Sequence, residues 1–277
     1  MGKKSTKPYV KNYPELRVYL EESNESDLKR ENIKRILEKR LQEVRPDYDF
    51  RILDVGCSDG EMFLPLAAEL KRRLPGLKYI ALEPEKPAFE RLVEKIKGQG
   101  LDFIQPANMT LEAYLRAIKG QGGLFDLILF AQSFYGFPKS EWDGIVSNVL
   151  RLLKPNGFVM VILDSREARV YKLCDLITSG KADTLEFGDF CFAEDLEQFL
   201  TDKGISFKTV QYPISIFIRD DEHKLDVFAR ILAFLYRTFP EKILTNHREA
   251  VERFLEEYKS DDQYVLENLD KVIAFTK

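Results

Sequence analysis

Apolar residues along the chain fall into two alternating kinds of block. Short, near-continuous runs predict strands buried on both faces, and longer stretches with apolar positions every three or four residues predict amphipathic helices. The runs are Arg51–Asp54, Leu77–Leu82, Leu101–Gln105, Phe125–Phe130 and Phe158–Leu163. Strand and helix in strict alternation predict an α/β fold built on a parallel sheet. Beyond Asp164 the pattern gives a helix from Ala168 to Ile177 and an extended stretch at Thr184–Phe192. A second helix runs from Ala193 to Lys203, stopped by Gly204. Ile205–Tyr212 alternates as a strand and continues extended through Ile218, then Leu225–Phe239 and Arg248–Tyr258 are helical. Tyr264–Asn268 and Val272–Phe275 close the chain as strand. Ahead of the sheet, Tyr9–Val44 reads as helices lying outside it. Ser26 and Asp27 are placed to cap Leu28–Leu41, whose Ile33, Ile36, Leu37 and Leu41 share one face. The organisation expected is one domain over residues 1–277: a helical cap (8–45), a core (48–212), a helical insertion (213–260) and a last strand (261–277). Its sheet is expected to be Rossmann-like, seven-stranded and mostly parallel, with helices on both faces.

The chemistry concentrates at one turn. Asp54 ends the first run, and Gly56-Cys57-Ser58-Asp59-Gly60 leads into the first helix. Glycines there can take positive φ and let backbone approach a ligand closely. Ligands of open α/β sheets sit at the carboxyl ends of the strands, where Asp54 lies. The second run ends at Glu83-Pro84, 29 residues after Asp54, and a carboxylate in that place suits a grip on ribose hydroxyls. A dinucleotide fingerprint would instead require G-x-G-x-x-G and an acid about 20 residues on. Asn108 and Thr110, just beyond the third strand, fall near the expected adenine edge. Ala131-Gln132-Ser133 follows the fourth strand.

These features together resemble the class I S-adenosylmethionine-dependent methyltransferases. Asp54-x-Gly56-x-Ser58-x-Gly60 stands for that family's D/E-x-G-x-G-x-G with serine at the middle glycine. Glu83 stands for its ribose acid, and Leu-Lys-Pro-Asn-Gly (153–157) for its turn before the fifth strand. The resemblance implies S-adenosylmethionine as methyl donor, S-adenosylhomocysteine as product and no metal. Asp54, Gly56, Ser58, Gly60, Glu83, Pro84, Asn108, Thr110 and Ala131 then form the cofactor-binding set.

Three further stretches, in order, resemble the histamine N-methyltransferase family. They are Tyr19-Leu20-Glu21-Glu22-Ser23-Asn24-Glu25, Ala131-Gln132-Ser133-Phe134-Tyr135 and Val265-Leu266-Glu267-Asn268. The region Ile214–Phe239 is similar as well, with Phe234 at a pocket position. This resemblance implies Gln132 and Tyr135 as catalytic, and Glu25, Gln132, Tyr135, Tyr171, Phe234 and Asn268 as acceptor-binding. Chemistry agrees for an amine acceptor. A neutral amide (Gln132, Asn268) can orient the attacking nitrogen without holding it protonated, Glu25 can hold a distal cation, and Tyr135 can pack over a ring. Each has a plainer role open to it: Gln132 as a strand-end cap, Tyr135 as core, Asn268 as a strand terminus, Glu25 as an acid at a helix start. The sequence departs from that family after the fifth strand, where Val170-Tyr171-Lys172-Leu173-Cys174 replaces two tryptophans. Gly136 replaces a second pocket tyrosine.

Composition narrows the choice of acceptor. With 44% hydrophobic residues, 32% charged and a net charge of −4, the chain has material for a core and no basic excess for gripping phosphates. Only two histidines occur, so a histidine-rich metal site is not expected. Three cysteines without a C-x-x-C pair suit a reducing cytoplasm. No apolar run approaches 18 residues. Met1-Gly2-Lys3-Lys4-Ser5-Thr6 fits a myristoylation pattern, and its plainer reading is a basic solvated tail. The expectation is a cytoplasmic, monomeric enzyme that N-methylates a small amine, with no nucleic-acid or membrane partner. The alternatives are O-methylation of a small carboxylic acid or phenol, a nucleic-acid or protein methyltransferase, and a cofactor-binding module without activity.

Overall fold

The structure is a computed structural model that describes residues 17–19, 21–42, 44–45, 47–171, 173, 191–235 and 239–277, Glu25 by its backbone only. The amino-terminal tail with its myristoylation pattern, Lys172, and the expected helix end and extended stretch over 174–190 lie outside the described residues.

Two compact units are present. The second unit (27–164, 191–211, 271–277) holds the sheet's parallel strands: β1 (Arg51–Val55), β2 (Lys78–Leu82), β3 (Ile104–Ala107), β4 (Phe125–Ala131) and β5 (Leu153–Asp164). β6 (Phe207–Arg219) and β8 (Gln263–Phe275) each have residues in both units. The sheet runs β3-β2-β1-β4-β5-β8-β6, and the two-residue β7 (Lys259–Ser260) pairs antiparallel with β8. That short strand makes the count eight where seven are expected. β1 pairs parallel with both β2 and β4, Leu53 lying opposite Ile80 and Ile128. The strand order therefore reverses between β1 and β4, which opens a crevice at their carboxyl ends.

Side-chain alternation explains how both faces are covered. Leu53 and Val55 of β1 join Ile128 and Phe130 of β4 in one apolar cluster. Helices α4 (Leu111–Ala117), α5 (Trp142–Leu152) and α6 (Ala193–Asp202) pack into it through Leu111, Trp142, Val146, Val149, Leu196 and Leu200. On the other face lie α1 (Glu25–Leu41) and α2 (Leu64–Arg73). α1 buries Ile33, Leu37 and Leu41 and meets α2 through the Lys34–Glu69 ion pair (2.5 Å) and Arg73 Nη2 donating to Leu41 O (2.9 Å). α1 begins at Glu25, so Ser26 and Asp27 lie in its first turn rather than capping it. α3 (Lys86–Gly98) follows β2, with Leu92 and Ile96 buried.

The first unit (1–26, 165–190, 212–270) contains α7 (Lys224–Leu235) and α8 (Pro240–Glu256), which bury Phe228, Ile231, Leu232, Val251 and Leu255. The Phe228 and Phe254 rings stack at 6.1 Å. The chain just before α1 is laced to the edge strand β6. Ser23 bridges Ile216, Phe217 N–H donates to Glu22 O (2.6 Å), and Ser215 N–H donates to the Asn24 side chain (2.8 Å). Among the described residues no helix is long and apolar enough to cross a membrane.

Candidate active site

The turn after β1 is held from both sides. Gly56 and Cys57 N–H both donate to Leu82 O (2.8 and 3.1 Å), which locks the turn to the end of β2. Positions 56, 58 and 60 all take positive φ (72°, 53° and 75°). At Gly56 a Cβ would stand 2.7 Å from Ser133 Cβ, so glycine there also lets the ends of β1 and β4 close together. Ser133 Oγ donates to Val55 O across that contact. Ser58 sits in the left-handed region without a glycine's freedom, a cost of about 1–2 kcal/mol offset locally by its backbone N–H. That N–H donates to Glu83 Oε2 at 2.8 Å.

Glu83, almost fully buried, turns toward the crevice beside Gly56. Its other oxygen accepts from Glu85 N–H at 2.8 Å, so both carboxylate oxygens are fixed in direction. A carboxylate oxygen accepts more than one hydrogen bond, so this anchoring is compatible with a diol ligand. Asn108 Nδ2 donates to Glu83 O (2.8 Å) and Pro84 O (3.1 Å), which holds Asn108 beside Glu83 and Pro84. Thr110 does something else: its hydroxyl accepts from Ala113 N–H (3.2 Å) and caps α4.

Asp54 points to the opposite sheet face from Leu53, into the interior. Tyr79 OH donates to its Oδ2, while Oδ1 is buried with no hydrogen-bond partner among the described residues. Burial pushes the Asp54 carboxyl up to about 7, the Glu83 charge adds to this, and the Tyr79 hydrogen bond opposes it. A buried acceptor left open is costly unless a ligand or water completes it. The same burial, with Asp54 and Glu83 close by, pushes the Cys57 thiol well up.

An acceptor held at the strand ends, a directed pair of carboxylates and a backbone turn of alternating positive φ fit a nucleoside bearing a cationic amino-acid tail. Residues 53–159 match the family model of a methyltransferase domain. The chain carries a methyltransferase domain. Solved structures agree at the level of fold. The YcgJ protein of Bacillus subtilis is similar over 87% of this chain and 97% of its own, at 12% identity and TM-score 0.51. A protein of Bacillus halodurans provisionally titled a methyltransferase is similar over 86% and 96%, at 12% and 0.53. One of Galdieria sulphuraria, provisionally titled a sarcosine dimethylglycine methyltransferase, is similar over 87% and 83%, at 16% and 0.51. No curated protein sequence matches the chain. Over residues 53–159 the chain is similar to methyltransferase domains, and its fold is similar to those of these solved structures.

The residues expected at the acceptor fall in two groups, one in each unit. In the second unit Ala131 ends β4 opposite Ile162 of β5. Gln132 follows with φ 52°, its N–H donating to Ile162 O (3.1 Å) and its Nε2 to Asp164 Oδ1 (2.8 Å). Tyr135 lies in the 3-10 turn Phe134–Gly136, half-buried against the apolar cluster. In the first unit Asn268 is buried on β8, its Nδ2 3.5 Å from Tyr19 OH and its Oδ1 without a partner among the described residues. Tyr19 packs on Phe234 with ring centroids 5.4 Å apart, and Tyr171 is buried in the same unit. The Glu25 side chain lies outside the described residues. Sequence reading missed Ser133, Tyr79 and Asp164. Asp164 carries a visible signal: it is the first acid after the buried run of β5, as Glu83 is after that of β2.

Proposed function

We propose that the protein transfers a methyl group from S-adenosylmethionine to the nitrogen of a small amine. The observation that carries the cofactor half is the turn at Gly56–Gly60, with Glu83 fixed by Ser58 N–H and Asp54 Oδ1 left open. Glu83 would hold the ribose, Asp54 the cationic amino group of the donor's tail, and Asn108 and Pro84 the base side. Gln132 and Tyr135, at the end of the neighbouring strand, would meet the acceptor, Tyr135 by packing over its ring. Tyr171, Phe234 and Asn268 are proposed as acceptor-binding residues of their own unit, where the Asn268 carbonyl oxygen offers an acceptor beside two aromatic rings. The chain would work as one catalytic domain, in keeping with the ordered resemblance to histamine N-methyltransferases.

When bound, the sulfonium supplies an activated methyl: a C–N bond forms as C–S breaks, the C–S pair stays on sulfur, and the nitrogen releases one proton to solvent. The protein's part is alignment, which can supply roughly 7–11 kcal/mol when nucleophile and electrophile are held in line. A neutral amide suits that task, because a carboxylate in direct contact with the attacking nitrogen would hold it protonated. Titration with S-adenosylhomocysteine in a calorimeter tests the cofactor half, and absence of heat would end it. Measuring S-adenosylhomocysteine formed from S-adenosylmethionine with panels of amines, carboxylic acids and phenols tests the other half. Turnover confined to the acids or phenols would replace the amine.

A further inference from the structure

The amino ends of the strands, opposite the crevice, carry a cleft of their own. Alternate residues of a strand face the same side of a sheet. The register sets Arg51 of β1 against Lys78 of β2, and Ile80 of β2 against Gln105 of β3, so these four share one face. α4 covers that face from the carboxyl ends inward. Its seven residues reach only about 10 Å, whereas the seven of β4 extend about 23 Å. The part left uncovered is a cavity of about 230 Å³. Its floor is apolar, formed by Ile80, Ile118, Leu124 and Phe125, and its rim is polar. Asp49 Oδ2 accepts from Arg51 Nε (3.0 Å), Arg51 Nη2 (2.5 Å) and Lys78 Nζ (3.2 Å). One carboxylate thus serves two cations, and the rim keeps one positive charge. Among the described residues Arg51 Nη1 has no partner, and the side chains of Gln105, Tyr114 and Gln121 on the same cavity make no hydrogen bond. Burial pushes the Tyr114 phenol up, so it stays a donor.

We propose that this cleft binds a small monocarboxylate with a flat apolar body, about the size of benzoate, at a site separate from the cofactor crevice. Small-molecule sites combine an apolar surface with a few convergent polar groups, as here. Arg51 and Lys78 supply charge-assisted donors to a carboxylate. A single spare positive charge balances a monoanion and leaves one charge of a phosphate dianion unmatched. At about 30 Å³ per water the cavity equals roughly seven or eight waters, below the range of drug-sized ligands, which limits the body to one ring. β1 has five residues, so Arg51 and Val55 lie about 13 Å apart, and a ligand at Arg51 does not touch one at Gly56. The inference goes beyond methyl transfer and does not depend on it.

Titrating the full-length protein with sodium benzoate, followed by its backbone amide NMR signals, tests the site. Signals of Ile80, Gln105, Tyr114 and Gln121 should move together, with a Kd of about 1 mM or tighter. Neutral benzamide and inorganic phosphate should bind at least about tenfold more weakly, the loss of a charge-assisted hydrogen bond in one case and of a matched charge in the other. The shifts should persist with S-adenosylhomocysteine present. Arg51→Gln should weaken benzoate about tenfold. Gln105 is exposed, so Gln105→Glu adds a negative charge at the rim without disturbing the core, and should weaken benzoate at least about twofold. A Kd above about 10 mM, equal binding of benzamide or phosphate, displacement of benzoate by S-adenosylhomocysteine, or an unchanged Kd in either variant overturns the proposal. Each of these outcomes leaves the reading of the cofactor crevice intact.

Discussion

Single residues decide the cradle, and Asp54 is the most exposed to test. In the ligand-free fold its carboxyl is pushed up to about 7 from 3.8, so folding favours the protonated form. Its contribution to stability is full below about pH 4 and is lost as pH rises toward 7. Thermal unfolding at successive pH values should show Asp54→Asn gaining on the natural protein across that window. A cationic ligand beside Asp54 favours the ionised form, so donor binding should release protons and strengthen as pH rises through about 7. Calorimetry in two buffers of different ionisation enthalpy measures the release, and Asp54→Asn should abolish it. At Gly56 an alanine meets both a positive φ and the Ser133 side chain. Gly56→Ala should cost about 2–4 kcal/mol in denaturant unfolding. Ser58→Gly should gain about 1 kcal/mol by the same argument in reverse. Asp54 and Glu83 are legible because each lies at the end of a buried run, a signal that Asp164 carries as well. Tyr79 is not, since an aromatic within a strand reads as core until its hydroxyl partner is seen.

At the scale of elements, the sequence located the strands and misjudged some of their ends, for identifiable reasons. β3 was read as Leu101–Gln105 and is Ile104–Ala107. Leu101 is buried without being strand, and Pro106 lies within β3, which tolerates proline because it is the sheet's edge. β5 starts at Leu153, with Pro155-Asn156-Gly157 inside its span and a register shift opposite Phe125–Leu127. β8 is expected as two pieces, Tyr264–Asn268 and Val272–Phe275, and is one strand that runs through Asp270 and Lys271. Lys271 is nearly buried and held by Glu194 and Glu197, both at 3.0 Å. Removing that cation strands two acids, so Lys271→Ala should cost about 3 kcal/mol, measured by denaturant unfolding. Glu194→Gln/Glu197→Gln in the same background should restore part of the loss.

For the whole molecule, ligand binding and net charge set the expectations. Saturation with S-adenosylhomocysteine at about a hundred times its Kd should add about 2.7 kcal/mol and raise Tm by roughly 5–10 °C, read by thermal unfolding. The net charge of −4 predicts no change in the anisotropy of a labelled DNA duplex even at about 50 mM salt, where phosphate-gripping proteins bind. The left-handed bend at Gln132 bears on how this catalyst could change its diet over generations. Valine, isoleucine and threonine are close to forbidden in that geometry, whereas asparagine, aspartate and glycine enter it with least resistance. Backbone shape thus filters the repertoire at position 132 before any chemistry is sampled, and libraries built to redirect the enzyme should yield working members mainly from that short set.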